Sequence, residues 1–319
     1  MDYEDCSSLQ VEGIALAPKK IVKGIPCFDE STYFFEQTSR QTLLSLTTLA
    51  GTAGWKRALT SLGIRDPSLL SWIMDPKRDF FLSILEIKEN DRVLDAGAGW
   101  GFISARIARG FPSTKVYAFD KTVEGLLFAD QIKRQEHLDN MRIVQGDITN
   151  PPFETNFFDV VIMMGLLEWL GVSTQTTSPR AAQVLALKRI HDILRPGGRL
   201  LIGIENRIGY KYFLGVPDEH THLRFTNLMP RRFADFYMKL RNKASYRTYT
   251  YSLQGYKKLL REGGFKDATF YAAYPDYRFP TLICDVNSVK EIMPNRFAQV
   301  LPRSILATLT NSFYIEVKR

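Results

Sequence analysis

The stretch that most constrains this chain is Val93-Leu94-Asp95-Ala96-Gly97-Ala98-Gly99-Trp100-Gly101. An apolar run reaches a turn with glycine at alternate positions, and Phe102–Arg109 continues at helical spacing. Glycine lets the backbone take positive φ there and leaves no Cβ between main chain and ligand. A helix opening near residue 102 adds N–H groups without intrahelical partners. A polar ligand can therefore lie directly on the peptide. A dinucleotide fingerprint, G-x-G-x-x-G, would need its third glycine where the chain has Phe102, whereas Gly101 makes the pattern G-x-G-x-G. A pyrophosphate site is disfavoured.

From residue 91 onward strands and helices alternate, a pattern that calls for a parallel sheet covered on both faces. The strands read as Arg92–Asp95, Lys115–Phe119, Met141–Gln145, Phe157–Met163, Arg199–Ile204, Phe265–Tyr274 and Asn311–Lys318. Asp120 closes the second, where a carboxylate can accept two hydrogen bonds from a ribose diol or cap the helix Thr122–Lys133. Gly146-Asp147-Ile148 closes the third. Asp159 opens the fourth, at the end away from chemistry, and reads as structural. Glu168 follows the fourth strand in Gly165-Leu166-Leu167-Glu168-Trp169-Leu170, and is either a polar group of the crevice or a surface glutamate.

The nonapeptide, Asp120, Asp147 and the turn Leu194-Arg195-Pro196-Gly197-Gly198 follow one another at spacings that resemble the class I S-adenosylmethionine (SAM) dependent methyltransferases. The resemblance implies an α/β fold: a doubly wound, mostly parallel, seven-stranded sheet whose last strand inserts antiparallel beside the sixth. It implies SAM as cofactor. Asp95 and the turn Ala96, Gly97, Gly99 and Gly101 would hold its amino-acid end, and Asp120 with Lys121 its ribose. Asp147 would reach the adenine amino group, Ile148 would pack on the ring, and Gly165 would complete the set.

After the fifth strand, polar and aromatic groups crowd Glu205-Asn206-Arg207-Ile208-Gly209-Tyr210 and the loop through His222. The Glu-Asn-Arg strand end, the acid–His pair after a Gly-x-Pro turn, and Tyr274-Pro275-Asp276-Tyr277 with Pro280 are similar to a subgroup encoded beside glycan and lipopolysaccharide assembly genes. That likeness implies oxygen methylation of a small or glycan-like acceptor, anionic or lipid-linked forms included. Such an acceptor needs a base for its hydroxyl proton. His220 leads the candidates, with Glu205, Glu168 and His222 behind it. His220 and His222 would share one face of a strand, but with no third ligand in view no metal is expected. His137 and His191 read as surface or packing residues of helices.

Net charge is +8, and Arg231–Arg247 holds six cations against Asp235 alone. This patch suits nucleic acid, a phosphorylated small molecule, an anionic membrane surface, or simply water. An RNA methyltransferase is thus the second reading, opposed by Met163-Met164-Gly165-Leu166, which lacks an amino-methylation motif. A third, a non-catalytic SAM-fold partner protein, is opposed by the intact acids and glycines. Ten of the fourteen tyrosines fall between 205 and 280, suited equally to a sugar pocket and to packing.

Cys6, Cys27 and Cys284 lack C-x-x-C spacing, which points to a reducing cytoplasm. The acidic Met1–Asp5 does not read as a signal peptide, and Val160–Leu167 is too short to span a membrane. Residues 1–88 are expected to be a helical extension or lid, with Tyr33–Leu49, Gly54–Leu62, Pro67–Met74 and Pro76–Ile87 as its helices and residues 1–30 irregular or partly extended. Phe80, Phe81, Ile84 and Leu85 should pack from one face onto the sheet. Residues 89–319 are expected to form the catalytic domain, with insertions at about 205–250 and 275–310.

Overall fold

The computed structural model describes residues 11–33, 38–65, 67–173, 177–241, 243–291 and 302–319. Met1–Asp5, Cys6, Pro294 and part of the expected Tyr33–Leu49 helix lie outside the described residues. The chain divides into two compact units, one holding residues up to 163 with 189–199 and 319, the other holding 164–188 and 200–318.

In the first unit the strands run in the order β1 (Lys20–Val22), β2 (Ile25–Cys27), β5 (Met141–Gln145), β4 (Lys115–Asp120), β3 (Arg92–Ala96), β6 (Phe158–Met164). Every pairing from β2 to β6 is parallel. Val93, Leu94 and Ala96 of β3, with Val160, Val161 and Ile162 of β6, are buried whichever way they point, as a sheet covered on both faces requires. Helices Phe102–Gly110 and Val123–Gln135 follow β3 and β4. Asp159 accepts the Arg92 N–H and pairs with Arg195 at 2.5 Å, the structural part expected of it.

The second unit orders its strands β7 (Leu194–Glu205, residues 200–205 in this unit), β10 (Ser312–Lys318), β8 (Ala268–Tyr274), β9 (Leu282–Asp285). As expected, the last strand runs antiparallel to the sixth of the core series, Phe313 opposite Ala272 and Val317 opposite Ala268.

All seven expected strands form, but the described residues hold ten, and the additions are β1, β2 and β9. The N-terminal extension is therefore not wholly helical. Lys23 and Gly24 take φ of +49° and +81° between β1 and β2, the turn that matches strand twist in a two-residue hairpin. Strands of three residues are too short for a hydrophobic period to announce them.

Two other elements depart from expectation. Pro76–Ser83 is a tighter 3-10 helix, and its shorter turn leaves Phe80 exposed while Phe81 and Leu85 are buried. Strand β7 absorbs the anticipated Arg195–Gly198 turn because Gly197 N–H and Gly198 C=O pair with the backbone of Arg319.

Candidate active site

The glycine turn of the first unit is built as its sequence demands. Gly97, Gly99 and Gly101 hold φ of +81°, +56° and +78°. A Cβ on Gly101 would come within 2.4 Å of Ala129 Cβ, so the third glycine is also a packing requirement. The turn spends its own N–H groups: those of Gly97 and Ala98 donate to Phe119 C=O, that of Gly101 to Ala98 C=O, and that of Gly99 to Asp120 Oδ2 at 2.9 Å. Four amides committed in this way do not form a pyrophosphate cradle.

The three acids stand at the ends of adjacent strands. Asp95 is fully buried and accepts a 2.5 Å bond from Ser104 Oγ. Asp120 accepts from Gly99 N–H and Thr122 N–H, one on each oxygen, and Asp147 pairs with Lys121 at 2.6 Å while accepting from Thr149. Since Gly146 N–H donates to Asp120 C=O and the charge of Asp120 is felt at Asp95, the three belong to one neighbourhood. Ile148 is buried beside Asp147.

Electrostatics there favour a cation. Burial pushes the Asp95 carboxyl up to about 6, with a further rise from Asp120, and burial raises Asp120 as well. A sulfonium or ammonium group would relieve both carboxylates. Asp120 presents an acceptor carboxylate at the end of its strand, of the kind a diol requires, so the residues fit SAM.

Gly165 lies in the second unit, at φ +65°, where its N–H donates to Gly203 C=O and a Cβ would meet the Tyr277 hydroxyl at 2.8 Å.

The second unit holds a buried polar cluster. His220 Nε2 lies 3.7 Å from Glu168 Oε1 and 3.8 Å from Glu205 Oε2, with side chains 4%, 1% and 2% exposed. Glu168 is therefore no surface glutamate. Glu205 ends β7, Glu168 sits in the single turn Leu167–Trp169, and His220 follows the Gly-x-Pro turn. His220 Nδ1 is 3.5 Å from Asp218 Oδ1, which also accepts the His220 and Thr221 N–H groups. The indole of Trp169 meets the imidazole edge-on at 5.0 Å between ring centres.

Burial, and then the charge of Glu168, push the Glu205 carboxyl up to about 7. Burial works to lower the His220 pKa, but Asp218, Glu168 and Glu205 outweigh it, and the imidazole titrates well above its ordinary value. His220 is thus held protonated, while Glu205 is poised to exchange a proton near neutrality.

Glu168, Glu205 and His220 also bring three ligand atoms within 4.8 Å of one another, a set that could hold a metal ion. The spacing of His220 and His222 did not point to this set. His222 is not part of the set: it is exposed at φ +57°, because its N–H closes a turn on Asp218 C=O and the segment is no strand.

Residues that the sequence reading gave no catalytic role complete the cluster. Arg278 reaches Glu205 at 3.9 Å, Glu219 at 3.1 Å and Asp276 at 2.8 Å. Lys211 pairs with Glu219 and Asp276, and Tyr212 donates to Glu219 at 2.7 Å. The sequence signals here were the acid–His pair Glu219-His220 and the segment Tyr274-Pro275-Asp276-Tyr277 with Pro280.

Residues 87–244 match the family model described as a methyltransferase domain. Together with the sheet order and the glycine turn, this identifies the segment as a methyltransferase domain of the class I SAM-dependent superfamily, with SAM as cofactor. The chain is 29% identical over 126 residues to the ubiquinone/menaquinone biosynthesis C-methyltransferase UbiE of Dinoroseobacter shibae, covering 39% of this chain and 46% of that protein. It is 33% identical over 109 residues to the malonyl-[acyl-carrier protein] O-methyltransferase of Herminiimonas arsenicoxydans, covering 34% and 35%. The chain thus spans less than half the length of these relatives. Among solved structures, phospholethanolamine N-methyltransferase 2 of Haemonchus contortus superposes with a TM-score of 0.49 at 16% identity, over 89% of this chain and 60% of that one. Among the described residues, no helix is long and apolar enough to cross a membrane.

Proposed function

We propose that this protein transfers the methyl group of SAM to a hydroxyl oxygen of a small or glycan-like acceptor, and that Glu205 takes the hydroxyl proton. When bound, SAM supplies an electrophilic methyl group on a sulfonium sulfur. The observation that carries the reading is the buried Glu205 carboxylate, raised to about 7 beside Glu168 and a protonated His220.

A base works best when its pKa lies near the working pH, and a carboxylate in a dry pocket is a far stronger base than one in water. The imidazolium, oriented by Asp218, steadies the charge left on Glu205 between turnovers and can return a proton. Arg278 and Lys211 tie the surrounding acids into fixed positions, so the base is preorganised.

Of the second reading little remains. Three of the cations in Arg231–Arg247 are turned to internal partners: Arg231 lies 3.5 Å over the Tyr249 ring, Lys243 donates to Thr221 C=O, and Arg247 donates to Gly171 and Thr177 C=O.

The test is labelled-methyl incorporation into a panel of nucleotide sugars, oligosaccharides and hydroxylated small molecules, run beside SAM calorimetry. Incorporation that vanishes in Glu205→Gln, with SAM binding retained, supports the assignment. Absence of SAM binding by the intact protein would leave only a scaffold.

A further inference from the structure

Seven of the thirteen large hydrophobic side chains exposed among the described residues fall between Phe213 and Leu240, so apolar exposure here is concentrated and calls for a cause. Its centre is the helix Arg231–Leu240, which is apolar on two opposed faces. Ala234 and Met238 are buried with Tyr246, and Leu223, Met229 and Tyr249 pack around them. At about 100° per residue, Phe233, Phe236 and Leu240 form a second stripe on the opposite side. They are 66%, 60% and 64% exposed.

Cations flank that stripe. Arg232 and Lys239 fall along one edge, and Arg241 stands just past the last turn as the helix C-cap. All three are exposed, and among the described residues only Lys239 has an acidic partner, Asp235 at 2.7 Å. The same unit exposes Leu214 and Val216 on either side of Gly215, with the Phe225 ring against that turn.

We propose that the outer face of helix Arg231–Leu240 seats the protein on an anionic bilayer surface. Phe233, Phe236 and Leu240 would enter the boundary between headgroups and acyl chains, and Arg232, Lys239 and Arg241 would meet lipid phosphates. An apolar ridge bordered by cations is the pattern of a helix lying in a membrane interface. Nucleic acid fits less well, since the aliphatic Leu240, Leu214 and Val216 offer nothing for a base to stack on.

The test is co-sedimentation of the intact protein with vesicles of phosphatidylcholine alone, or with about 30% phosphatidylglycerol, at low and high salt. Binding should require the anionic lipid and weaken about tenfold or more at high salt. The triple variant Phe233→Ser, Phe236→Ser, Leu240→Ser should lose about a hundredfold or more in affinity, with an unchanged circular dichroism spectrum. Arg232→Glu with Arg241→Glu should abolish the preference for anionic lipid. Wild-type protein left in the supernatant with anionic vesicles would overturn the proposal, as would equal binding by the triple variant. A dimer seen by sedimentation velocity and dispersed by that variant would assign the face to a second copy instead, and retention of single-stranded RNA dependent on the same three residues would assign it to nucleic acid.

Discussion

Glu205 Oε2 lies 3.8 Å from His220 Nε2, both side chains shut away from solvent, and four polar atoms of the cluster, Glu168 Oε2, Glu205 Oε2, Asp218 Oδ2 and His220 Nδ1, have no hydrogen-bond partner among the described residues. At this distance the imidazolium holds the Glu205 carboxyl down against its burial, while the carboxylate holds the imidazole up. Removing the base should therefore be felt in turnover and not in cofactor binding. Glu205→Gln is expected to lower kcat by about a hundredfold to ten-thousandfold, and His220→Asn by less, with SAM affinity within about twofold in each. Single-turnover methyl transfer measures this. A fully active Glu205→Gln enzyme would remove Glu205 as base.

The pH profile supplies a second check. With a base raised to about 7, kcat/KM should climb as pH passes through about 7, since the carboxyl is protonated and idle below it. The charge of Glu168 is the second cause of that rise, so Glu168→Gln should move the limb to lower pH. A limb that stays in place would mean that Glu168 does not act on Glu205.

Much of this architecture was legible in the residues. Val93–Gly101 announced its strand, turn and positive-φ glycines because no other residue types satisfy that geometry, and the acids after β4 and β5 follow from the same alternation. The active cluster was legible only in part. Glu168, Glu205 and His220 could be nominated singly from their place after strands, but their burial and convergence depend on three separate segments folding together. Asp218 was hidden for a different reason. It acts through its hold on the His220 backbone and ring, and no spacing rule reveals a residue whose partner is two positions away in a turn. The exposed ridge of Phe233, Phe236 and Leu240 was masked by the cations around it, which made the segment look merely basic.

Asp95 should trade stability for cofactor binding. Its folded pKa, about 6, lies above the ordinary 3.8, so the stability it contributes is complete below about pH 4 and is lost as pH rises through 6. At pH 8 the buried charge costs about 3 kcal/mol. Asp95→Asn keeps an acceptor for Ser104 and removes that charge. The apo variant should melt several degrees higher than wild type at pH 8 and no higher at pH 4, while SAM binds at least about tenfold more weakly. Calorimetry and thermal melts at both pH values decide it, and a variant that melts lower at pH 8 would refute the burial argument.

Asn206, the middle residue of the Glu-Asn-Arg strand end, has a structural duty that its position beside Glu205 disguises. It is wholly buried, and its amide donates to Thr308 C=O at 2.7 Å and Thr310 C=O at 2.6 Å while Oδ1 accepts the Ile208 N–H. Asn206→Ala would strand the buried Thr310 carbonyl and the half-buried Thr308 carbonyl, a loss of about 2 kcal/mol. Asn206→Asp should be worse, because a carboxylate cannot donate and would face both carbonyl oxygens. Urea unfolding should show that order of midpoints, with kcat per folded, SAM-binding molecule unchanged in Asn206→Ala. If that variant instead unfolds like wild type but turns over slowly, Asn206 acts on the chemistry and not on the fold.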